Sequence, residues 1–162
     1  MDAEYLLRSY PNLDLLRPDL RLEVRENGLH TWDILRKKWL LLTPEEWVRQ
    51  HVQHWLLTQT GYPATLLSAE RLVKNRKRAD LIGFDRNGHP LLLVECKAPD
   101  VKIDAGTAQQ ATLYHQTLNI SYLWLTNGRV HWVFQFDSGK NQWVKLPSLP
   151  NFEHIIGTNT QT

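Results

Sequence analysis

Two short apolar runs, residues 79–84 and 91–97, flank the polar stretch Asp85-Arg86-Asn87-Gly88-His89, a pattern that predicts a β-hairpin. Residues 65–73 read as a strand before them, which makes a three-strand meander. A helix is predicted over 107–119 and an apolar, buried strand over 121–126. Asn127-Gly128 is a strong hairpin turn, after which residues 129–136 alternate with Val130, Trp132, Phe134 and Phe136 on one face. Asp137-Ser138-Gly139-Lys140 then turns the chain into a strand over 142–146. A strand, a crossover helix and a strand form a right-handed unit, so 91–97 and 121–126 are expected parallel and adjacent. Upstream, Thr43 is a good N-cap and Pro44 suits the first helical position, and the helix they open is expected over 44–60, ending at Gly61. Its apolar stripe reads Val48, Val52, Trp55 and Leu56. Residues 20–24 and 29–32 form a short hairpin around Glu26-Asn27-Gly28, while 1–18 has little pattern and is expected to wrap the domain or touch a partner.

Length and charge bound the reading. The 162 residues suffice for one domain, 1–162, with an extension over 1–32, a core over 43–136 and a frayed polar tail over 157–162. A lone cysteine excludes an internal disulfide and fits a reducing, cytoplasmic setting. No apolar stretch reaches the roughly 20 residues of a membrane span, and the start, Met1-Asp2-Ala3-Glu4, is unlike a signal peptide. The net charge of +2 does not announce nucleic acid, so a basic footprint must be local. Arg36-Lys37-Lys38 and the run 74–78 are the candidates, each reading by itself as a solvated turn. Trp39, Trp47 and Trp55 lie eight apart and read as core or interface, with base stacking the alternative.

The chemistry lies where the buried strand 91–97 runs into charge. Glu95 and Lys97 alternate onto one face. If Phe84 pairs with His89, Asp80 falls opposite Leu93 and becomes a diagonal neighbour of Glu95, roughly 7–8 Å away between backbones. Two carboxylates so placed, with the backbone carbonyl of Cys96, suit a hard divalent cation such as Mg²⁺. Lys97 beside it would orient an attacking water or neutralise a phosphate. A strand-end salt bridge is the plain alternative. Cys96 reads as a small packed residue and His51 and His54 as surface or core residues, since zinc would need further ligands. No Gly-rich phosphate loop with Lys-Ser or Lys-Thr occurs in these residues, so no ATP motor is expected here.

Asp80 followed by Glu95-Cys96-Lys97 resembles the PD-(D/E)xK nuclease motif. The surrounding stretches are similar to one branch, the N-terminal nuclease domain of type I restriction enzyme R subunits in a short stand-alone form: Asp33-Ile34-Leu35-Arg36-Lys37-Lys38-Trp39, Leu42-Thr43-Pro44-Glu45-Glu46-Trp47-Val48-Arg49-Gln50, Lys77-Arg78-Ala79-Asp80, Val94-Glu95-Cys96-Lys97-Ala98-Pro99, Gln110-Ala111-Thr112-Leu113-Tyr114 and Leu125-Thr126-Asn127-Gly128. Ala79 stands where the motif name has proline, a departure that branch tolerates. The resemblance implies an α/β (α+β) restriction-endonuclease-like fold, a mixed central sheet flanked by helices, with an N-terminal extension and a C-terminal β-hairpin. It implies a DNA-cleaving endonuclease using Mg²⁺, or Mn²⁺ in its place, with Asp80, Glu95 and the Cys96 carbonyl as metal ligands and Lys97 as a catalytic residue. A first-helix glutamate is also expected at the metal. Glu45, in line with Val48 and Val52, is chosen over Glu46, which a helical projection turns toward water. Lys77, Arg78, Gln110 and Tyr114 are the expected DNA contacts, and further restriction or repair subunits or a second copy the expected protein partners. A module on the same fold that binds nucleic acid or a partner without cleaving is the alternative, and a purely structural subunit of a larger assembly a third reading.

Overall fold

The computed structural model describes residues 2–72 and 78–158, except the side chains of residues 71, 72, 78, 114–116 and 158. After a short helix α1 (Ala3–Leu7), strands β1 (Leu22–Arg25), β2 (Gly28–Asp33) and β3 (Lys38–Leu41) form an antiparallel three-stranded sheet. The expected first hairpin is present, and β3 is an addition. Asp33 makes it possible: its Oδ1 accepts from the backbone N–H groups of Leu35 and Arg36 at 2.9 and 2.7 Å, turning the chain at once into β3. The basic run 36–38 is therefore split. Arg36 is turned inward, its side chain 8% exposed, while Lys37 and Lys38 remain exposed.

Helix α2 (Pro44–Thr58) starts as its sequence demands, with Thr43 Oγ1 accepting from Glu46 N at 3.1 Å, and the chain leaves it through Gly61 at φ 70°. A 3₁₀ turn (Ala64–Leu66) leads into β4 (Leu67–Leu72), β5 (Arg78–Phe84) and β6 (Pro90–Cys96). Helix α3 (Ala105–Leu118) then crosses to β7 (Tyr122–Thr126), followed by β8 (His131–Asp137), β9 (Gln142–Leu146) and α4 (Phe152–Thr158). The six strands order β4-β5-β6-β7-β8-β9, and β6 with β7 is the parallel pair. This is the expected mixed sheet flanked by helices. Helix α4 replaces the start of the expected polar tail: Asn151 caps it, accepting from His154 N at 2.9 Å, and Phe152 and Ile155 enter the core. Residues 159–162 of that tail lie outside the description. Among the described residues no helix is long and apolar enough to cross a membrane.

The core has two main layers. Val48, Val52 and Leu56 of α2 pack with Leu81, Leu92, Val94 and Tyr122, while Ala111 of α3 packs with Ile82, Leu93, Leu123 and Leu125. A third cluster, Leu7, Leu29, Leu42 and Trp47, closes the other side of α2 beneath the N-terminal sheet.

The pairing of β5 with β6 corrects one expectation. Phe84 pairs with Pro90 rather than His89, and a bulge at Gly83 and Phe84 adds a second shift, so Ile82 lies opposite Leu93. Asp85 causes the longer turn by accepting from Asn87 N and His89 N at 2.8 and 2.9 Å. Continued by two residues, the register sets Asp80 opposite Glu95, not Leu93. A slip of two leaves side-chain parity unchanged, because the strand period is two.

Candidate active site

Asp80 stands near the start of β5 and Glu95 near the end of β6, where the sheet meets the N-terminus of α2. Asp80 reaches across the strand gap. Its Oδ2 accepts from the backbone N–H of Cys96 at 2.7 Å, and its Oδ1 accepts from Arg49 Nη2 at 2.6 Å. Glu95 is half-buried. Lys97 follows with its own N–H bonded to Thr126 O at 2.8 Å, so the chain is still tied to β7 at the third motif residue. Cys96 is buried, and burial first of all pushes its thiol well above the ordinary range, which makes it a packed residue rather than a nucleophile.

A third acid stands in the same row. Ala69 pairs with Leu81 and Arg71 with Ala79, which leaves Glu70 opposite Asp80. Glu70 has a left-handed backbone (φ 50°), uncommon without glycine, at this break in the pairing. Strands β4, β5 and β6 thus carry Glu70, Asp80 and Glu95 side by side.

Two buried arginines organise the acids. Arg49 of α2, 5% exposed in its side chain, donates to Asp80 and, at 2.9 Å, to Glu45 Oε1, and bonds Glu46 through Nη1. Its Nη1 also lies 4.0 Å from Glu70 Oε1. Burial alone would make this guanidinium easier to deprotonate, but the charges of Asp80 and Glu46 outweigh it and hold the proton more firmly than usual. Arg36 bonds Asp33 Oδ2 at 2.7 Å, Glu46 Oε1 at 2.5 Å and Glu70 Oε2 at 3.2 Å. Asp33 also accepts from the side-chain amides of Gln50 and Gln53 at 2.8 and 3.2 Å. Burial pushes its carboxyl up, and the bonds and charge of Arg36, with Gln50, more than reverse that and hold it below its ordinary value. Five carboxylates therefore share two guanidiniums, a formal surplus of three negative charges. The open cleft beside them, about 580 Å³, is walled by Leu40 and Leu41 of β3, Pro44 and Glu45 of α2, Glu70 and Ala98.

The first-helix glutamates correct the helical projection. Glu46, expected to face water, is buried at 6% side-chain exposure, whereas Glu45 is 46% exposed. The projection assumed one buried stripe, but α2 is covered by the large sheet on one side and the N-terminal sheet on the other, and Arg36 meets Glu46 from the second side. Both glutamates reach Asp80 through Arg49, with Glu45 on the same Nη2 that holds it.

Gln110 is exposed on α3. The side chains of Arg78 and Tyr114, and all of Lys77, lie outside the described residues. His51 is a core residue, set edge-on to the Trp47 ring and bonded to Trp47 O at 2.8 Å, and burial pushes its pKa down to about 4. Trp47 is buried, while Trp55 is half-buried and packs edge-on against Trp124. The residues the sequence did not single out are Arg49 and Glu70, and Arg36, read there as part of a basic run, turns inward to the acids instead. Arg49 had a local signal, being three and four positions after Glu46 and Glu45, the spacing of helical ion pairs.

The donor set suits a hard cation, because the motif side chains and the Cys96 carbonyl offer oxygen and the cluster is short of positive charge. Among the described residues no group of three or more His, Cys, Asp and Glu side chains is placed to hold a metal ion. A metal here would rest on two carboxylates, backbone oxygen and water, the way Mg²⁺ is usually held.

Residues 44–150 match the family model described as the type I restriction enzyme R protein N terminus (HSDR_N). No curated protein matches the chain. Among solved structures, a fragment assigned as an HsdR subunit of a type I restriction enzyme from Vibrio vulnificus YJ016 superposes with a TM-score of 0.54 at 21% identity, covering 72% of this chain and 25% of that one. The type IIG restriction endonuclease BpuSI gives 0.48 at 23% identity, covering 64% and 13%. The chain thus spans a quarter or less of these neighbours. The match over 44–150 takes in α2, the three acid-bearing strands and the parallel β6–β7 pair, and the chain belongs to the family of type I restriction enzyme R protein N termini.

Proposed function

We propose that the chain is a Mg²⁺-dependent endonuclease of PD-(D/E)xK type that hydrolyses phosphodiester bonds in DNA. The observation that carries this is the placement of Asp80 opposite Glu95, its carboxylate tied to the Cys96 N–H, one residue from Lys97. Asp80, Glu95 and the Cys96 carbonyl would hold the cation, which when bound supplies Lewis-acid polarisation of the scissile phosphate and a more acidic water. Lys97 donates hydrogen bonds to the attacking oxygen or to the phosphate and offsets the charge that develops there. Gln110 and Tyr114 on α3, with Lys77 and, at the start of β5, Arg78, hold the backbone of the substrate. Glu45 acts on the same centre through Arg49. The likeness to restriction enzymes supports DNA as substrate, acted on with or without further restriction subunits.

One observation favours a second reading, a nuclease-fold module that binds without cutting: both oxygens of Asp80 are already engaged, by Arg49 and by Cys96. Cleavage of supercoiled, linear and single-stranded DNA, with Mg²⁺, Mn²⁺ or EDTA, separates the two. The nuclease reading expects metal-dependent products that vanish in Lys97→Ala while Mn²⁺ affinity measured by calorimetry stays nearly constant, since an ammonium gives no lone pair to the cation. No product under any of these conditions leaves the binding module, and full activity in Lys97→Ala refutes the role assigned to that lysine.

A further inference from the structure

The odd member of the cluster is Arg49. A buried guanidinium stands 2.6 Å from Asp80 Oδ1, on a carboxylate oxygen that a metal ion would require. Two like-signed cations crowded onto one carboxylate repel strongly in a site this enclosed. Arg49 also has somewhere to go. Its Nη1 is 4.0 Å from Glu70 Oε1, one small movement from a full ion pair, and its other carboxylates, Glu45 and Glu46, lie on its own helix. Its Nε–H is buried and has no hydrogen-bond partner among the described residues, so a move that supplied one would remove a cost rather than add it. Glu70, in turn, is held by Arg36 and stands in the row beside Asp80.

We propose that Arg49 is the resident cation of this site and the positioning residue of Asp80, and that a divalent ion enters by displacing Arg49 from Asp80 toward Glu70. The inference rests on the reading that Asp80 and Glu95 take a divalent cation. Until the metal arrives, the guanidinium holds the Asp80 carboxylate in place and stands between it and the acids of α2. When it arrives, the arginine retreats to a third carboxylate, and the cluster's surplus negative charge falls by two.

Calorimetry with Mn²⁺ alone on the full chain, without DNA, tests the displacement by its sign. Arg49→Gln removes the competitor and should tighten Mn²⁺ binding by at least about fivefold, whereas a merely structural arginine would, on removal, loosen it. Arg49→Lys, which keeps a cation, should stay close to wild type. Glu70→Gln removes the landing place and should weaken Mn²⁺ binding severalfold in the wild-type background, and have little effect with Arg49→Gln. Binding equal to or weaker than wild type in Arg49→Gln, with wild type binding Mn²⁺ and circular dichroism unchanged, overturns the proposal and leaves the metal reading standing. Absence of binding in both proteins overturns the metal reading and this proposal together. Binding in Arg49→Gln alone supports both. If Arg49→Gln does not fold, the arginine side-chain ¹⁵N resonances of the wild type decide: saturable Mg²⁺ binding should move the Arg49 signal, and saturation without any change there overturns the displacement.

Discussion

Glu95 and Lys97 stand out in the sequence because a strand that is apolar for four residues and then turns charged contradicts its own burial, and Asp80 joins them as candidates through the hairpin. Arg49 carried no such mark. Its meaning comes from Asp80, 31 residues away, and from Glu70, which one strand period placed in the row. Histidine burial gives a separate prediction at this scale. His51 is 1% exposed, its pKa pushed down to about 4 chiefly by burial, with the charges of Arg17 and His54 acting in the same direction. Its folded pKa lies below the unfolded value, so the unfolded chain binds the extra proton between them. Stability present above about pH 6.5 is therefore lost as pH falls toward 4, by up to about 3 kcal/mol. Burial lowers His54 and His131 too, which acts in the same direction. Urea midpoints measured across this range should fall less steeply in His51→Gln than in wild type. Equal slopes would mean that His51 gains its proton without unfolding cost.

Most elements follow from local rules that held: Thr43 and Pro44 start α2, and Asn127-Gly128 turns β7 into β8, with Asn127 Oδ1 accepting from Arg129 N and Val130 N. What local pattern did not convey was which sides of an element would be covered and how a turn would count its residues. The projection that sent Glu46 to solvent treated α2 as half-exposed, and the hairpin register treated Asp85 as an ordinary turn residue rather than the acceptor that lengthens it. The bulge at Gly83 has its own cause. The Tyr62 ring lies against this glycine, a Cβ there would sit 2.6 Å from Tyr62 Oη, and that hydroxyl donates to Phe84 O at 2.8 Å. Gly83→Ala should therefore destabilise the protein by about 1–3 kcal/mol, the usual cost of overpacking. Denaturant unfolding measures it, and Tyr62→Phe in the same chain should recover part of the loss. An alanine with no effect would show that β5 shifts freely, in which case the Asp80 register is not fixed by this contact.

At the scale of the molecule, the site is a seam between two sheets. The large sheet supplies Glu70, Asp80 and Glu95, α2 supplies Glu45, Glu46 and Arg49, and the N-terminal sheet supplies Asp33, Arg36 and the cleft wall at Leu40 and Leu41. The sequence pattern separated residues 1–32 as an extension because their hydrophobic alternation is short and weak. The third strand of the N-terminal sheet, β3 at Lys38–Leu41, and the inward Arg36 lie beyond that boundary and emerge only when the sheet closes over α2. This assembly sets an electrostatic condition on the proposed substrate. The chain's net charge is +2, yet the cleft is flanked by a cluster with a surplus of carboxylates, which repels a phosphate backbone. On the proposed reading, a divalent ion at Asp80 and Glu95 would offset most of that surplus where the scissile phosphate would sit. DNA affinity should therefore rise on adding Ca²⁺, an oxygen-seeking cation of the same charge as Mg²⁺, by about an order of magnitude at constant ionic strength. Fluorescence anisotropy of a short labelled duplex in EDTA and in Ca²⁺ gives the comparison, and Asp80→Asn should abolish the gain. Identical affinity in both buffers would mean that the phosphates bypass the acidic cleft, and that the DNA surface of this fold lies on another face.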